Sequence, residues 1–240
     1  MTVHEISDLI IRQIDDDPTN PVSVAPPTSG PNTTPPEVLA AINEGQNLAA
    51  WLTLCLEKTA DFPLNGNCFY QPRPVLTDFL VPLRLTLGGA RLRPATLAEL
   101  ESENVRWQST AATPKRYACL GFNLLIVTPQ GTGTAKMTYA SSPVPLVNDA
   151  DVPQLPEPYH CNLIDYGVYR VRLKEGAQGL ARGLARLNLF LDDMAALGSY
   201  IRSRSVAARY DVEPFELALF DRSRLIDEVL KWQAKSTRSK

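Results

Sequence analysis

The chain has 240 residues, 44% hydrophobic and 21% charged, with a net charge of −2. This is enough for one large domain or two small ones around a real core, and the overall charge gives no sign of nucleic-acid binding. No apolar run approaches the roughly 18 residues that span a bilayer, and the N-terminal MTVHEISDLIIRQIDDD has acids where a secretory signal has Lys or Arg, so a protein kept in a cytosol is expected.

Residues 3 to 16 read as a helix with Ile6, Leu9, Ile10 and Ile14 on one face. Residues 18 to 36 are dominated by Pro, Ser, Thr, Gly and Asn and read as a long loop. A second helix is expected from Pro35–Pro36 to about Ala60, capped by Thr34. Val38, Ile42, Ala49, Leu52 and Leu56 line one side, and Trp51 and Leu54 widen the apolar face, so burial on most sides is expected.

From Phe62 to about Asp151 the helical period fades. DFLVPLRLTLGG alternates and is turned by Gly88-Gly89. Thr96 and Glu99 have the spacing of a capping box at the start of a single-turn helix. KRYACLGFNLLIVTP, a QGTGT turn and AKMTYASSP predict a hairpin.

After Pro158 the helical period returns. Tyr159 to Leu173 reads as one helix, broken by Glu175-Gly176. Residues 177 to about 208 form a long helix in which Leu180, Leu184, Leu187, Leu191, Met194, Gly198 and Ile201 alternate by 4 and 3. The fold class is therefore α+β, a helical bundle with a small inserted antiparallel β domain, sandwich or barrel-like. Its expected parts are N-terminal helices (1–61), the β domain (62–154), the long-helix part (155–212) and a C-terminal segment (213–240).

Charge is polarised along the chain: Tyr159 to Lys240 is net +4 and residues 1 to 158 are net −6. Such a chain suits a protein that meets different partners at its two ends, or simply has Arg-rich helices. The four cysteines (Cys55, Cys68, Cys119, Cys161) form no CxxC pair and read as reduced, buried thiols.

Little points to an enzyme. TPQGTGTAKM lacks the GxxxxGK[ST] spacing of a phosphate loop, and a strand-like run follows it. Only His4 and His160 exist, and no GxSxG, HExxH or metal-spaced Cys/His cluster accompanies them. His160 and Cys161 would diverge by about 100° on a helix, which disfavours a dyad. Asp165 is expected to pair with an arginine, either Arg172 or one on the next helix. The reading left is an interaction protein without catalytic, cofactor or metal residues. Trp232 with Lys235, Arg238 and Lys240 offers an aromatic anchor in a basic tail.

An ordered series narrows this further. It comprises RPATLAEL, Trp107 followed by Pro114 and Arg116-Tyr117, YASSPVPLVNDADVPQLPEPYH, LIDYGVYR and the long Leu/Arg helix. Over about residues 75 to 212 it resembles the head-to-tail adaptor (connector, tail tubular protein A-like) proteins of tailed bacteriophages. The resemblance implies a virion protein assembled in the host cytoplasm. It would form a homo-oligomeric ring of twelve copies beneath the portal, extend the DNA channel and give the tail or nozzle its platform. DNA would pass through the lumen without sequence-specific binding, and neither a cofactor nor a membrane is required. It further implies portal docking through Phe215, Phe220, Leu225, Leu230, Trp232, Lys235, Arg238 and Lys240. Packing around the ring would use Tyr159, Tyr166, Tyr169, Leu180, Leu184, Leu187, Leu191 and Met194. A stopper or tail-completion ring protein and a cell-wall hydrolase are the alternatives.

Overall fold

The first helix forms as α1 (Val3–Asp15), and Val3, Ile6, Ile10 and Ile14 are wholly buried along it. Thr2 and Glu5 close a capping box at its start: Thr2 N–H donates to Glu5 Oε2 and Glu5 N–H to Thr2 Oγ1. The structure is a computed structural model that describes residues 1–15, 34–121 and 123–208. Most of the Pro-rich stretch and the whole C-terminal segment lie outside them. The chain divides into a helical unit, Met1–Thr53 with Val144–Ser199, and a sheet unit, Leu54–Pro143 with the last turns of the final helix.

In the helical unit, α2 (Pro36–Thr53) is shorter than its periodicity suggests. Leu54 takes a left-handed backbone, φ 52°, and ends it; the next residues alternate and join a sheet. Trp51 is exposed, so this helix is buried on fewer sides than expected. The Thr34 hydroxyl makes no hydrogen bond and caps nothing; the Pro35 carbonyl instead accepts from Val38 and Leu39 N–H.

The expected single helix from Tyr159 is interrupted. A 3-10 turn at Glu157–Tyr159 precedes α4 (Asn162–Arg172; α3 lies in the sheet unit), and a second turn, Leu173–Glu175, follows it. Prolines 156 and 158 hold the chain too tightly for an α-turn there. Gly176, at φ 75°, then redirects the chain into α5 (Ala177–Ala208).

Helix α4 is the hub. A Cβ on Gly167 would overlap the Ile10 side chain of α1, and one on Gly45 of α2 would stand 3.0 Å from the Tyr166 ring. A Cβ on Gly183 of α5 would lie 3.2 Å from the Tyr169 ring. One glycine per contact lets the helices approach closely.

The described residues of the sheet unit hold eight strands: β1 (Glu57–Asn65), β2 (Phe69–Tyr70), β3 (Phe79–Leu87), β4 (Ala90–Arg91), β5 (Arg93–Pro94), β6 (Arg116–Leu120), β7 (Leu124–Thr128) and β8 (Thr132–Ser141). They form two open four-stranded sheets, ordered β1-β8-β3-β4 and β2-β7-β6-β5. Phe62, Tyr70, Leu85, Tyr117, Leu125, Val127, Met137 and Tyr139 share one core drawn from both sheets. The arrangement is therefore a sandwich rather than a barrel, and β5 runs parallel to β6, so the second sheet is mixed.

Gly88-Gly89 turns β3 into β4 as expected, both with positive φ. The helix α3 (Leu97–Glu103) carries the predicted capping box but runs beyond a single turn. QGTGT, by contrast, is no hairpin turn: β7 pairs with β2 and β6, whereas β8 pairs with β1 and β3. It is a crossover between the sheets, and the hairpin in this region is β6–β7. Alternation along β3 is also broken. Leu80 and Leu83 join one cluster and Phe79 and Leu85 the other, because register shifts between Phe79 and Val81 and between Pro82 and Arg84 change the outward side. On the second sheet's other face, Leu100 and Trp107 cover Ala118 and Ile126.

Candidate assembly surfaces

Among the expected ring contacts, Tyr166, Leu180, Leu187, Leu191 and Met194 are buried within the chain. Tyr159, Tyr169 and Leu184 are partly exposed. The Tyr166 ring lies 5.8 Å from that of Tyr169 and 5.1 Å from that of Phe190, which joins α4 to α5. Burial, and then a hydrogen bond to Glu44 of α2, push the Tyr166 phenol far above its usual value.

The buried side of α5 is wider than the stripe the leucines suggest. Gly183, Phe190 and Leu197 join Leu180, Leu187, Leu191, Met194, Gly198 and Ile201, and of the expected set Leu184 alone is left half-exposed. Steric fit decides this: the small Gly183 sits under Tyr169, where Leu184 would not fit. The opposite side of α5 exposes Ala185, Leu189 and Ala196, with Leu189 50% accessible. The expected portal contacts Phe215, Phe220, Leu225, Leu230, Trp232, Lys235, Arg238 and Lys240 lie outside the described residues.

The chemically suggestive residues are spent on structure. Asp165 pairs with Arg186 on α5 at 2.8 Å, the expected kind of partner. His160 is buried; its Nε2 is 2.8 Å from the Leu155 carbonyl and its Nδ1 3.1 Å from the Met1 amine. Cys161 is exposed and bonds to the Pro158 carbonyl and Asn162. None of the four cysteines forms a disulfide, but only Cys68 is buried, so uniform thiol burial was too broad a reading. No group of His, Cys, Asp and Glu among the described residues could hold a metal ion, and no described helix is long and apolar enough to cross a membrane.

A cleft of about 360 Å³ separates α2 from α4. Its charged rim is paired across the gap, Arg170 with Glu44 at 2.7 Å and Lys174 with Glu37. These pairs make it a seam between packed helices.

The surface that stands out was not found from sequence. Residues 142–156 cross the helical unit as an extended strap whose backbone is held by side chains. Asn43 acts like a strand partner: its amide donates to the Leu146 carbonyl at 3.0 Å and accepts from Leu146 N–H at 2.8 Å. Gln46 donates to the Val144 carbonyl, and Val144 N–H donates to Gln154. Asp151 accepts from Val147 and Asn148 N–H, and these bonds hold its carboxyl below the usual range. The first turn of α1 donates to the Asp149 and Asp151 carbonyls. With Leu146 and Leu155 buried, the strap turns Val144, Val147 and Val152 outward, 55, 59 and 53% accessible. The sequence offered no distinctive signal: Asn43, Gln46 and Asn47 stand at i, i+3 and i+4, but Glu37 and Glu44 share their helix.

A glycine-stapled helical unit, a closed-core sandwich and a pinned strap of outward valines define a structural, contact-making class of protein. The comparisons agree: the SU10 adaptor protein family matches residues 1–212, and the chain belongs to that family. It is a bacteriophage adaptor, a structural component of the virion's head-to-tail junction. No curated protein matches the chain.

Proposed function

We propose that this adaptor assembles as a ring of twelve copies beneath the portal, continues the DNA channel and presents the platform to which tail or nozzle proteins attach. The observation that carries the reading is the SU10 adaptor match across residues 1–212. The division into a helical unit and a β-sandwich supports it, since a ring joining two assemblies needs separate faces for its own copies and for its neighbours. DNA passes through the lumen without sequence-specific binding. The protein has no catalytic role and needs no cofactor, and assembly takes place in the host cytoplasm.

The C-terminal segment 213–240 docks on the portal, with Phe215, Phe220, Leu225, Leu230 and Trp232 as apolar anchors and Lys235, Arg238 and Lys240 as their charged rim. Ring contacts use the accessible members of the packing set, Tyr159, Tyr169 and Leu184. Deleting residues 213–240 tests the docking role. The truncated chain keeps the melting temperature of the full chain and loses binding to the portal protein of the same virus. Undiminished binding would remove the segment from the portal interface.

A further inference from the structure

The two outer faces of the sandwich differ. Leu100 and Trp107 cover that of the second sheet. In the first sheet Phe62, Leu85, Met137 and Tyr139 point into the core, so their neighbours along each strand point out. Register sets these neighbours in two rows. Thr59, Thr138 and Arg84 stand side by side on β1, β8 and β3, and Asp61, Lys136, Thr86 and Arg91 on β1, β8, β3 and β4. Arg84, Arg91 and Lys136 are exposed. The chain then passes from β4 into β5, where exposed Arg93 donates its backbone N–H to the carbonyl of Lys115, which is exposed too.

These cations form one band, and most of them are unspent. Elsewhere Arg116, Arg170, Lys174 and Arg186 are each paired with an acid. Among the described residues, the side chains of Arg84, Arg93, Lys115 and Lys136 make no ion pair, whereas Arg91 has an interaction of its own. The acids of this face, Glu57 and Asp61, both lie on the edge strand β1, and Glu57 also has an interaction. Residues 54 to 143 carry nine basic and six acidic residues, against one and seven in residues 1 to 53, so the positive charge is gathered on this part of the chain.

Arg and Lys side chains with Thr hydroxyls between them are the groups that contact nucleic-acid phosphates. The strands β1, β3, β4 and β8 expose no large apolar side chain. The face therefore lacks the anchor on which a protein interface centres and the aromatic rings on which unpaired bases stack. We infer that this band binds the phosphate backbone of duplex DNA, independently of sequence. The inference deepens the reading above, on which it rests for the source of the DNA, by assigning the surface that the passing duplex meets. A few phosphate contacts per copy bind weakly, which suits a duplex that must move.

The test is the binding of a labelled random-sequence DNA duplex to the purified full chain, followed by fluorescence anisotropy as salt is raised. Arg84→Gln and Lys136→Gln each remove one cation from the band. Arg106→Gln removes an exposed cation from the turn after α3 and is the control. All three should melt with the wild type, since none of these side chains makes an ion pair. The wild type should bind, and the slope of log affinity against log salt should shrink by about 0.9 in each band variant and stay unchanged in the control. A wild-type chain that leaves the duplex free at low salt would overturn the inference. An equal loss in Arg106→Gln would do the same, because net charge alone then drives binding. Tighter binding to polyglutamate or to single-stranded DNA than to the duplex would give the face to an acidic protein or an unpaired strand instead. Native mass of the same chains mixed with the portal keeps the two readings apart. A complete ring from a chain that ignores the duplex sinks this inference and leaves the ring standing; band-dependent duplex binding by a chain that forms no ring sinks the ring reading alone.

Discussion

Asp78 shows how single residues hold the sandwich together. Its carboxylate accepts from Lys58 at 2.5 Å and from the Tyr139 hydroxyl at 3.0 Å. Burial works to raise its pKa, but the two hydrogen bonds outweigh it and hold the group below its ordinary 3.8. A lowered carboxylate stabilises the fold above its unfolded value, and that share is lost as pH falls through the folded one. Asp78→Asn should therefore cost about 1 kcal/mol at neutral pH, a figure kept small because solvent screens Lys58. Its melting temperature should rejoin that of the wild type once the pH is below the folded value. Tyr139 has the opposite sign: burial and Asp78 push it up to about 12, so its share persists through neutral pH and goes as pH rises through that value. The strap offers a second residue-scale test. Asn43→Ala removes both the donor to the Leu146 carbonyl and the acceptor of its N–H, and should cost about 1–3 kcal/mol. Faster hydrogen exchange at the Leu146 amide would be its local sign, and unchanged exchange would show that Asn43 does not hold the strap. Residues of this kind were poorly legible in sequence, because a hydrogen bond between Asn43 and Leu146 spans 103 positions and leaves no local pattern.

At the scale of elements, the outcome depended on how local each signal was. Helices α1 and α5 were legible because their apolar spacing is sustained over 13 and 32 residues. The Gly-Gly turn and the Thr96 capping box were legible because their chemistry lies within four residues. The crossover at QGTGT was not, since a hairpin and a change of sheet use the same glycines and only distant pairing separates them. The stripe of α5 was legible except at Leu184: leucines mark an apolar side, but the glycine beneath Tyr169 takes the inner place at that turn. Gly167 carries the strongest prediction at this scale. Gly167→Ala forces a methyl into Ile10 of α1 and should cost about 1–3 kcal/mol by overpacking. Shortening the partner, as Ile10→Val, should return part of that loss in the double variant. Equal and additive losses measured by denaturant unfolding would mean that the two helices do not meet at this point.

For the whole molecule, the division of labour is the informative feature. The helical unit stores its tyrosines and leucines in its own seams and leaves two smaller apolar surfaces outside, the strap and the outer side of α5. The sandwich is held by its own core and by Trp107 and α3 over one face. The α+β class and the adaptor family were both legible in the sequence, the first from the change of period at the domain edges and the second from an ordered series of motifs. The accessible surfaces were not, because exposure is decided by which residues the fold covers. The central claim is that this adaptor forms a ring on the portal. The most direct measurement is the native mass of the purified chain, alone and mixed with the portal of the same virus. The account predicts a complex with one adaptor copy per portal subunit. A chain that ignores the portal and binds only tail components would contradict it.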